Sequence, residues 1–176
     1  MQLQIRHYPD PVLMRPSAPV TEFDPALVRF VEDMFETMYI EEGVGLAAPQ
    51  VGVNKRIFVV NCAFEEKGAE AEIALINPVI VEARDEQTGK EGCLSFPQIF
   101  ADVTRANVIR IKYQDVKGNW HEAVGEGLLA RAFQHELDHL DGKVFVDYLR
   151  PEQLQEIRPQ IDELKREFKR NPQAVR

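Results

Sequence analysis

The sequence predicts an α+β fold in which antiparallel or mixed sheets pack around one central helix, with further helices near the N-terminus and the C-terminus. Strand-like runs follow one another through the middle of the chain, and the helical patterns lie apart from them. The chain has 176 residues and is 44% hydrophobic, which is enough to form one core. We therefore expect a single domain over residues 1–176, with a helical tail from about residue 150.

The first helix is predicted over residues 25–40. Asp24 is a typical N-cap residue, and Pro25 suits the first helical turn. Apolar residues then recur at helical spacing up to Met38. The proline-rich segment before this helix favours an extended, turn-rich conformation.

Strand-like runs occupy the middle of the chain. The run RIFVVN is continuous and apolar, whereas IALINPVIVEA contains Pro78, which predicts an edge strand or a bulge. NVIRIKY alternates between apolar and polar residues. The turn-like segment VKGN separates NVIRIKY from WHEAV, so these two runs are expected to form a hairpin.

The last third of the chain favours two further helices and one strand. The first of these helices is predicted over residues 126–141, with Gly142 in a C-cap position. VFVDYL is predicted to be a short strand. The segment from Pro151 has a helical pattern, and Pro159 is expected to split or kink that helix.

Charge and hydropathy exclude several classes of protein. The formal net charge of −8 argues against a general nucleic-acid surface and specific DNA binding. No apolar run reaches the roughly 18 residues of a membrane span, and the N-terminal segment lacks the apolar core of a secretory signal. We therefore expect a cytoplasmic protein, in which Cys62 and Cys93 stay free thiols.

The predicted helix over residues 126–141 contains the pattern HExxH within QHELDHL. His135 and His139 lie about 40° apart on one helical face, so their imidazoles can bind one metal ion. Glu136 projects towards the same cleft, where it can act on a metal-bound water. The alternative is a polar helix face with two ordinary histidines. Apolar residues on several faces indicate a mostly buried helix, in which two histidines need partners.

A catalytic metal site of this kind usually has three protein ligands and one open position. Phe145 stands where the metzincin pattern HExxHxxGxxH has its third histidine, so that pattern fails. Cys93 in EGCLSFP is favoured because a thiolate is a strong ligand for zinc or ferrous iron. A small buried hydrophobe is the alternative for Cys93 and the preferred interpretation of Cys62. The other candidates are His121 in the predicted hairpin and four glutamates of the tail, Glu152, Glu156, Glu163 and Glu167.

The segment GVGLAAPQVG, residues 43–52, begins with G-x-G-x-x-A, which is one form of the dinucleotide-binding loop. Such a loop follows a strand and begins a helix. Here the segment follows the predicted first helix, and Pro49 prevents a helix from continuing. A Rossmann-type dehydrogenase is therefore only the third alternative.

Three motifs, GVGLAAPQ, EGCLS and QHELDH, occur in this order and resemble the signature motifs of bacterial-type peptide deformylases with a C-terminal helix. The resemblance covers most of the chain. It implies removal of the formyl group from the N-terminal formyl-methionine of newly made bacterial and organellar proteins. By motif match, Cys93, His135 and His139 would bind one divalent metal ion. The family typically uses Fe²⁺ and can use Ni²⁺, Co²⁺ or, less well, Zn²⁺, and this ligand set does not choose among them.

The resemblance also implies a mechanism. Metal-bound hydroxide would attack the formyl carbon, while Glu136, as general base and then acid, transfers the water proton to the leaving amine. The side-chain amide of Gln50 and the backbone N–H of Leu94 would stabilise the oxyanion together with the metal.

The formyl-peptide is expected to lie extended beside the motif backbones, where Gly45 and Gly92 would allow close approach because they lack side chains. Val44, Leu128, Ala132 and the stem of Glu91 would line a methionine pocket, with core packing as the alternative for Val44 and Leu128. The full set of predicted substrate contacts is Gly43, Val44, Gly45, Glu91, Gly92, Leu128, Arg131 and Ala132.

Arg131 stands where many deformylases have an aliphatic residue. We expect its stem to line the pocket rim and its guanidinium to extend outward into solvent. We also predict an ion pair between Arg105 and Glu91 that steadies the Cys93 loop, against the alternative of ordinary surface charges.

The tail after Leu164 is locally basic. The tail helix of the family can dock on the ribosome, which suits such charge, whereas a solvated helix face is the alternative. The basic residues are Lys165, Arg166, Lys169, Arg170 and Arg176, against Glu167.

Two further functions are alternatives to deformylation. One is an HExxH metalloprotease or another metal amidase that uses the same chemistry. The other is a structural metal-binding module, although structural zinc usually has four protein ligands and no free base beside it.

Overall fold

The computed structural model describes residues 1–172, and within them five strands form one antiparallel sheet in the order β1-β2-β3-β4-β5. The predicted α+β class is confirmed. The strands are β1 (Gly45–Ala47), β2 (Ile57–Val60), β3 (Ile73–Cys93), β4 (Phe96–Gln114) and β5 (Trp120–Glu126). The α-helices are α1 (Pro25–Ile40), α2 (Phe64–Lys67), α3 (Leu128–Leu140) and α4 (Pro151–Arg170).

Helix α1 has the predicted bounds. The Asp24 carboxylate accepts a hydrogen bond from the Leu27 N–H, and Pro25 occupies the first turn. Its apolar face, which includes Val31 and Met34, packs against residues of β1 and β2 in one buried cluster. This cluster supports the strand on which the first motif lies.

Strands β3 and β4 form a long hairpin that runs well beyond the predicted apolar segments. They pair from Ile76 to Cys93, and Leu94 and Ser95 form the turn between them. The register shifts between Ile76 and Val79, so the bulge predicted at Pro78 is confirmed. The predicted hairpin of β4 and β5 is also present.

Helix α3 begins two residues later than predicted because Glu126 still pairs with Val108 as part of β5. Gly142 follows the helix at a φ of +74°, in a position where a Cβ would lie 2.9 Å from the Met14 carbonyl oxygen. The helix packs against β1, β2, β4 and β5, and most of its residues are buried. The sheet therefore surrounds α3, which brings the HExxH residues into the interior.

The segment VFVDYL is not a strand: Phe145–Tyr148 forms a 3₁₀-helix. The Asp147 carboxylate accepts a hydrogen bond from the Val144 N–H, and the Asp147 N–H bonds to the Val144 carbonyl, so the chain closes into a turn. Burial of Val144, Phe145 and Leu149 explains the apolar pattern equally well.

Helix α4 continues through Pro159, so the predicted split is wrong. Ile157 and Leu164 pack beside β4 residues, and this burial offsets the roughly 3 kcal/mol cost of an internal proline. Gln155, whose carbonyl loses its donor at Pro159, is exposed and can be hydrated. No helix within residues 1–172 is long and apolar enough to cross a membrane.

Candidate metal site

Three potential metal ligands meet at the junction of β3 and α3. Cys93 ends β3, and His135 and His139 lie on successive turns of α3. The His139 Nε2 lies 3.2 Å from the His135 Nε2 and 3.3 Å from the Cys93 Sγ. A tetrahedral ion with metal–ligand bonds of about 2.0–2.3 Å needs neighbouring donors about 3.3–3.6 Å apart. The observed spacing therefore suits one metal ion.

The Glu91 carboxylate orients the first histidine. Its Oε2 accepts a hydrogen bond from the His135 Nδ1 at 2.7 Å, which leaves the lone pair of Nε2 free for a metal. Arg105 donates to both oxygens of Glu91, at 2.9 and 2.7 Å, so the predicted ion pair is confirmed. The sequence did not reveal the contact between Glu91 and His135, because these two residues lie 44 positions apart.

The electrostatics of the cluster favour charged Glu91 and neutral His139. Burial by itself would raise the pKa of Glu91, but hydrogen bonds from Arg105 and His135 outweigh it and hold that pKa well below its usual range. Burial lowers the pKa of His139, so its ring is neutral at pH 7 and its Nε2 can act as a ligand.

The donor set fits a divalent ion of intermediate softness. Two imidazole nitrogens and one cysteine sulfur lie within 4.8 Å of one another. A sulfur and two nitrogens suit Fe²⁺, Co²⁺, Ni²⁺ and Zn²⁺. The observed geometry thus agrees with a metal site.

Glu136 lies between the two histidines in sequence and is fully enclosed. Burial raises its pKa to about 7, and its Oε2 has no hydrogen-bond partner within residues 1–172. A carboxylate of this kind can exchange a proton near neutral pH.

Gly45 and Gly92 make room for protein side chains. A Cβ at Gly45 would lie 2.5 Å from the Glu136 Oε1, and a Cβ at Gly92 would lie 2.5 Å from the Phe100 ring. The space of the missing side chains is thus taken by protein atoms, and close approach of a substrate backbone at these glycines stays a prediction. The absence of these side chains allows Glu136 and Phe100 to approach the backbone.

The side-chain amide of Gln50 is held between the first two motifs. Its Oε1 accepts a hydrogen bond from the Ala47 N–H at 2.9 Å. Its Nε2 donates to the Ser95 Oγ at 3.2 Å and lies 3.4 Å from the Cys93 Sγ. These contacts place the Gln50 amide directly beside a metal donor, and Ser95 is a partner that the sequence did not reveal.

Comparison with known proteins shows the family of this chain. The family model described as polypeptide deformylase matches residues 2–155.

The chain belongs to the peptide deformylase family.

A peptide deformylase of Acidobacterium capsulatum is 51% identical over 79% of this chain and 81% of the relative. One of Alkalilimnicola ehrlichii is 47% identical over 96% and 94%. The solved peptide deformylase of Plasmodium falciparum superposes with a TM-score of 0.92 at 42% identity, covering 97% of this chain and all of the other. The chain is therefore a deformylating, metal-dependent hydrolase.

The other candidate ligands of this deformylase lie outside the cluster. Among the residues that the structure describes, only Cys93, His135 and His139 were found grouped as three potential metal ligands. His121 is exposed in the β4–β5 hairpin and pairs with Asp115. Cys62 packs against an apolar cluster, where burial raises its pKa to about 11.

The first motif forms a strand in this deformylase. Residues Gly45–Ala47 are buried in β1, and Pro49 lies in a short 3₁₀-helix that ends at Gly52. The segment therefore lacks the strand–loop–helix arrangement of a dinucleotide-binding loop.

Arg131 does not extend its guanidinium into solvent. The residue is 6% exposed, and it donates to the Glu91 Oε1, the Val103 carbonyl and the Gln87 Oε1. The β3–β4 hairpin covers this side of α3 and supplies all three acceptors. The expected outward orientation is therefore wrong.

The residues predicted to line a methionine pocket differ in exposure. Val44 and Leu128 are 43% and 52% exposed, so the core-packing alternative fails for both. Ala132 and Glu91 are buried, the former within an apolar cluster and the latter within the ion-pair network. Gly43 lies against Leu94, since a Cβ there would be 2.9 Å from the Leu94 Cδ1.

Proposed function

We propose that this deformylase binds one divalent metal ion through Cys93, His135 and His139 and uses Glu136 as general base and acid on N-formyl-methionyl nascent peptides. The observation on which the proposal mainly depends is the convergence of the three donors beside a buried carboxylate. We also propose that the enzyme acts in the cytoplasm, where nascent chains are made.

When bound, the ion lowers the pKa of a coordinated water and polarises the formyl oxygen. We propose Fe²⁺ as the native ion, with Zn²⁺, Ni²⁺ or Co²⁺ able to replace it. The sulfur of Cys93 and the imidazole nitrogens of His135 and His139 are compatible with each of these ions.

Glu136 moves the proton in the proposed reaction. It takes a proton from the attacking water and delivers it to the amine nitrogen as the formyl C–N bond breaks. A pKa of about 7 supports both steps, because the carboxylate accepts and releases a proton near neutral pH at small cost. The space left by Gly45 allows the carboxylate to occupy its position.

The Gln50 amide and the Leu94 N–H would donate to the oxygen of the formyl group as negative charge develops on it. Both amide hydrogens of Gln50 are directed at Cys93 and Ser95. A cysteine sulfur is a weaker hydrogen-bond acceptor than a hydroxyl oxygen, so we expect the substrate oxygen to take over the hydrogen directed at Cys93. The contact with Ser95 would then keep the amide in place.

The peptide would lie beside β1, which is an edge strand and leaves one side of its backbone unpaired within the sheet. Gly43, Val44, Gly45 and Gly92 would then contact the substrate through their backbones. Val44 and Leu128, whose side chains are exposed, would line a methionine pocket together with Ala132 and the stems of Glu91 and Arg131.

The test compares formyl-Met-Ala-Ser with unformylated peptides and measures the metal content of the protein. We expect deformylation by the wild type, and a Glu136→Ala variant that keeps its metal and loses the activity. Cleavage of internal peptide bonds without deformylation would instead support a metalloprotease. Unchanged deformylation by Glu136→Ala would refute the role of Glu136.

We further propose that the basic end of α4 contacts the ribosome. Arg166 and Arg170 pair with Glu163, while Lys165 and Lys169 are exposed, and Arg176 lies outside the described residues. Deletion of residues 165–176 should reduce co-sedimentation with ribosomes and leave turnover of a free formyl-peptide nearly unchanged. Equal co-sedimentation would contradict this proposal.

A further inference from the structure

Arg131 contributes an ion pair that the family motifs do not explain. It lies four residues before His135, so both side chains project from the same face of α3 on adjacent turns. Both contact Glu91: Arg131 through Oε1 at 3.0 Å, and His135 through Oε2 at 2.7 Å. Glu91 itself lies on β3, two residues before Cys93.

The carboxylate of Glu91 is saturated by these contacts. Arg105 donates to each oxygen once, and Arg131 and His135 supply one further donor each. Each oxygen therefore accepts two hydrogen bonds, which fills the usual capacity of a carboxylate. A carboxylate held at four points has little freedom to rotate, and so the His135 ring is held in one orientation.

Arg131 also connects α3 to both strands of the long hairpin. Its guanidinium donates to the Val103 carbonyl on β4 at 2.9 Å and to the Gln87 Oε1 on β3 at 3.3 Å. Two proposed metal ligands come from α3 and the third comes from the end of β3. A link between these elements therefore controls the distance between the ligands.

We propose that Arg131 is a positioning residue for the metal site, which acts through Glu91 to fix the His135 ring and its distance from Cys93. This inference rests on the proposed metal ligands. The metal content and deformylase activity of the wild type test that assignment separately, so a failure of either can be recognised.

The experiment uses the enzyme loaded with Co²⁺ and compares wild type, Arg131→Met and Arg131→Lys. Arg110→Met is the matched control, since Arg110 pairs with Glu82 on the exposed face of the sheet. The measurements are the rate of Co²⁺ loss to a chelator, the visible spectrum of bound Co²⁺, and kcat and KM for formyl-Met-Ala-Ser.

We expect Arg131→Met to lose Co²⁺ about tenfold faster and to change the Co²⁺ spectrum, because residues that orient metal ligands typically affect affinity about 10–100-fold. The kcat should fall while KM changes little. Arg131→Lys should be intermediate, since one ammonium cannot span three acceptors. In a Glu91→Gln background, Arg131→Met should add little further loss.

Wild-type Co²⁺ retention by Arg131→Met would overturn the proposal. Together with a raised KM it would assign Arg131 to the substrate pocket, and with a lowered Tm alone it would make Arg131 a purely structural residue. If Arg131→Met does not fold, the lysine variant decides, and unchanged Co²⁺ loss there overturns the proposal. If neither variant folds, Arg131 is a residue of the fold and the proposal is likewise overturned.

Discussion

Replacement of Gly45 by alanine should displace the Glu136 carboxylate while leaving the metal donors in place. The new Cβ would lie 2.5 Å from the Glu136 Oε1 and 3.0 Å from its Cγ and Cδ, whereas ordinary contact begins at 3.4 Å. Glu136 must therefore move by about 0.9 Å, the difference between 3.4 and 2.5 Å. Misplacement of a reacting group by about 1 Å can reduce the rate about 10²-fold, which corresponds to about 2.7 kcal/mol of activation free energy.

The assay is kcat/KM for formyl-Met-Ala-Ser together with the metal content of the purified protein. We expect a loss of about 10²-fold with wild-type metal content, because Gly45 contacts none of the three donors through its added Cβ. Gly89→Ala is the matched control: it also lies in a strand, and its nearest neighbour would be the Arg131 Nη2 at an ordinary 3.4 Å. Normal kcat/KM in Gly45→Ala would refute the argument that Gly45 positions Glu136.

Three further predictions follow from the same site. Gln50→Ala should keep the metal and lower kcat by about 10²–10³-fold, and near-normal turnover would exclude Gln50 as an oxyanion donor. The folded-state pKa of Glu91 lies below its unfolded value of 4.5, so its stabilisation is present above pH 4.5 and is lost as the pH falls towards the folded value. The carbon-13 shift of its carboxyl in the metal-free protein should therefore stay at the ionised value down to about pH 3, and a midpoint near pH 4.5 would contradict this. Burial raises the pKa of Cys62 from 9.0 to about 11. Iodoacetamide at pH 8 should therefore modify Cys62 about a hundredfold more slowly in the native than in the unfolded protein, as measured by mass spectrometry. Equal rates would show that this thiol is not shielded.

The periodic elements of the fold could be predicted because local patterns determine them. Helix α1 and the β4–β5 hairpin follow from capping residues, apolar spacing and a turn segment within a few positions of one another. The predictions of a strand at VFVDYL and of a split at Pro159 were wrong because tertiary packing decided both conformations. The apolar residues of VFVDYL are buried by a 3₁₀-turn, and tertiary contacts keep α4 continuous.

The roles of individual polar side chains depended on contacts that are distant in sequence. Glu91 meets His135 across 44 positions, and Gln50 meets Ser95 across 45. Arg131 was expected at the pocket rim because a helical wheel places it between the face of His135 and the polar side of the helix. The wheel contains no information about the β3–β4 hairpin, which covers that side and binds the guanidinium.

The sequence by itself determined the order of the three motifs and the placement of His135 and His139 on one helical face. Helical geometry sets the spacing of these histidines, and the chemistry of sulfur and nitrogen donors indicates a metal. Only the tertiary structure decided that Cys93 meets them, that Glu91 orients the first histidine, and that Gly45 makes space for Glu136. The physical reason is that these relations are distances between separate elements, which packing of the sheet around α3 establishes.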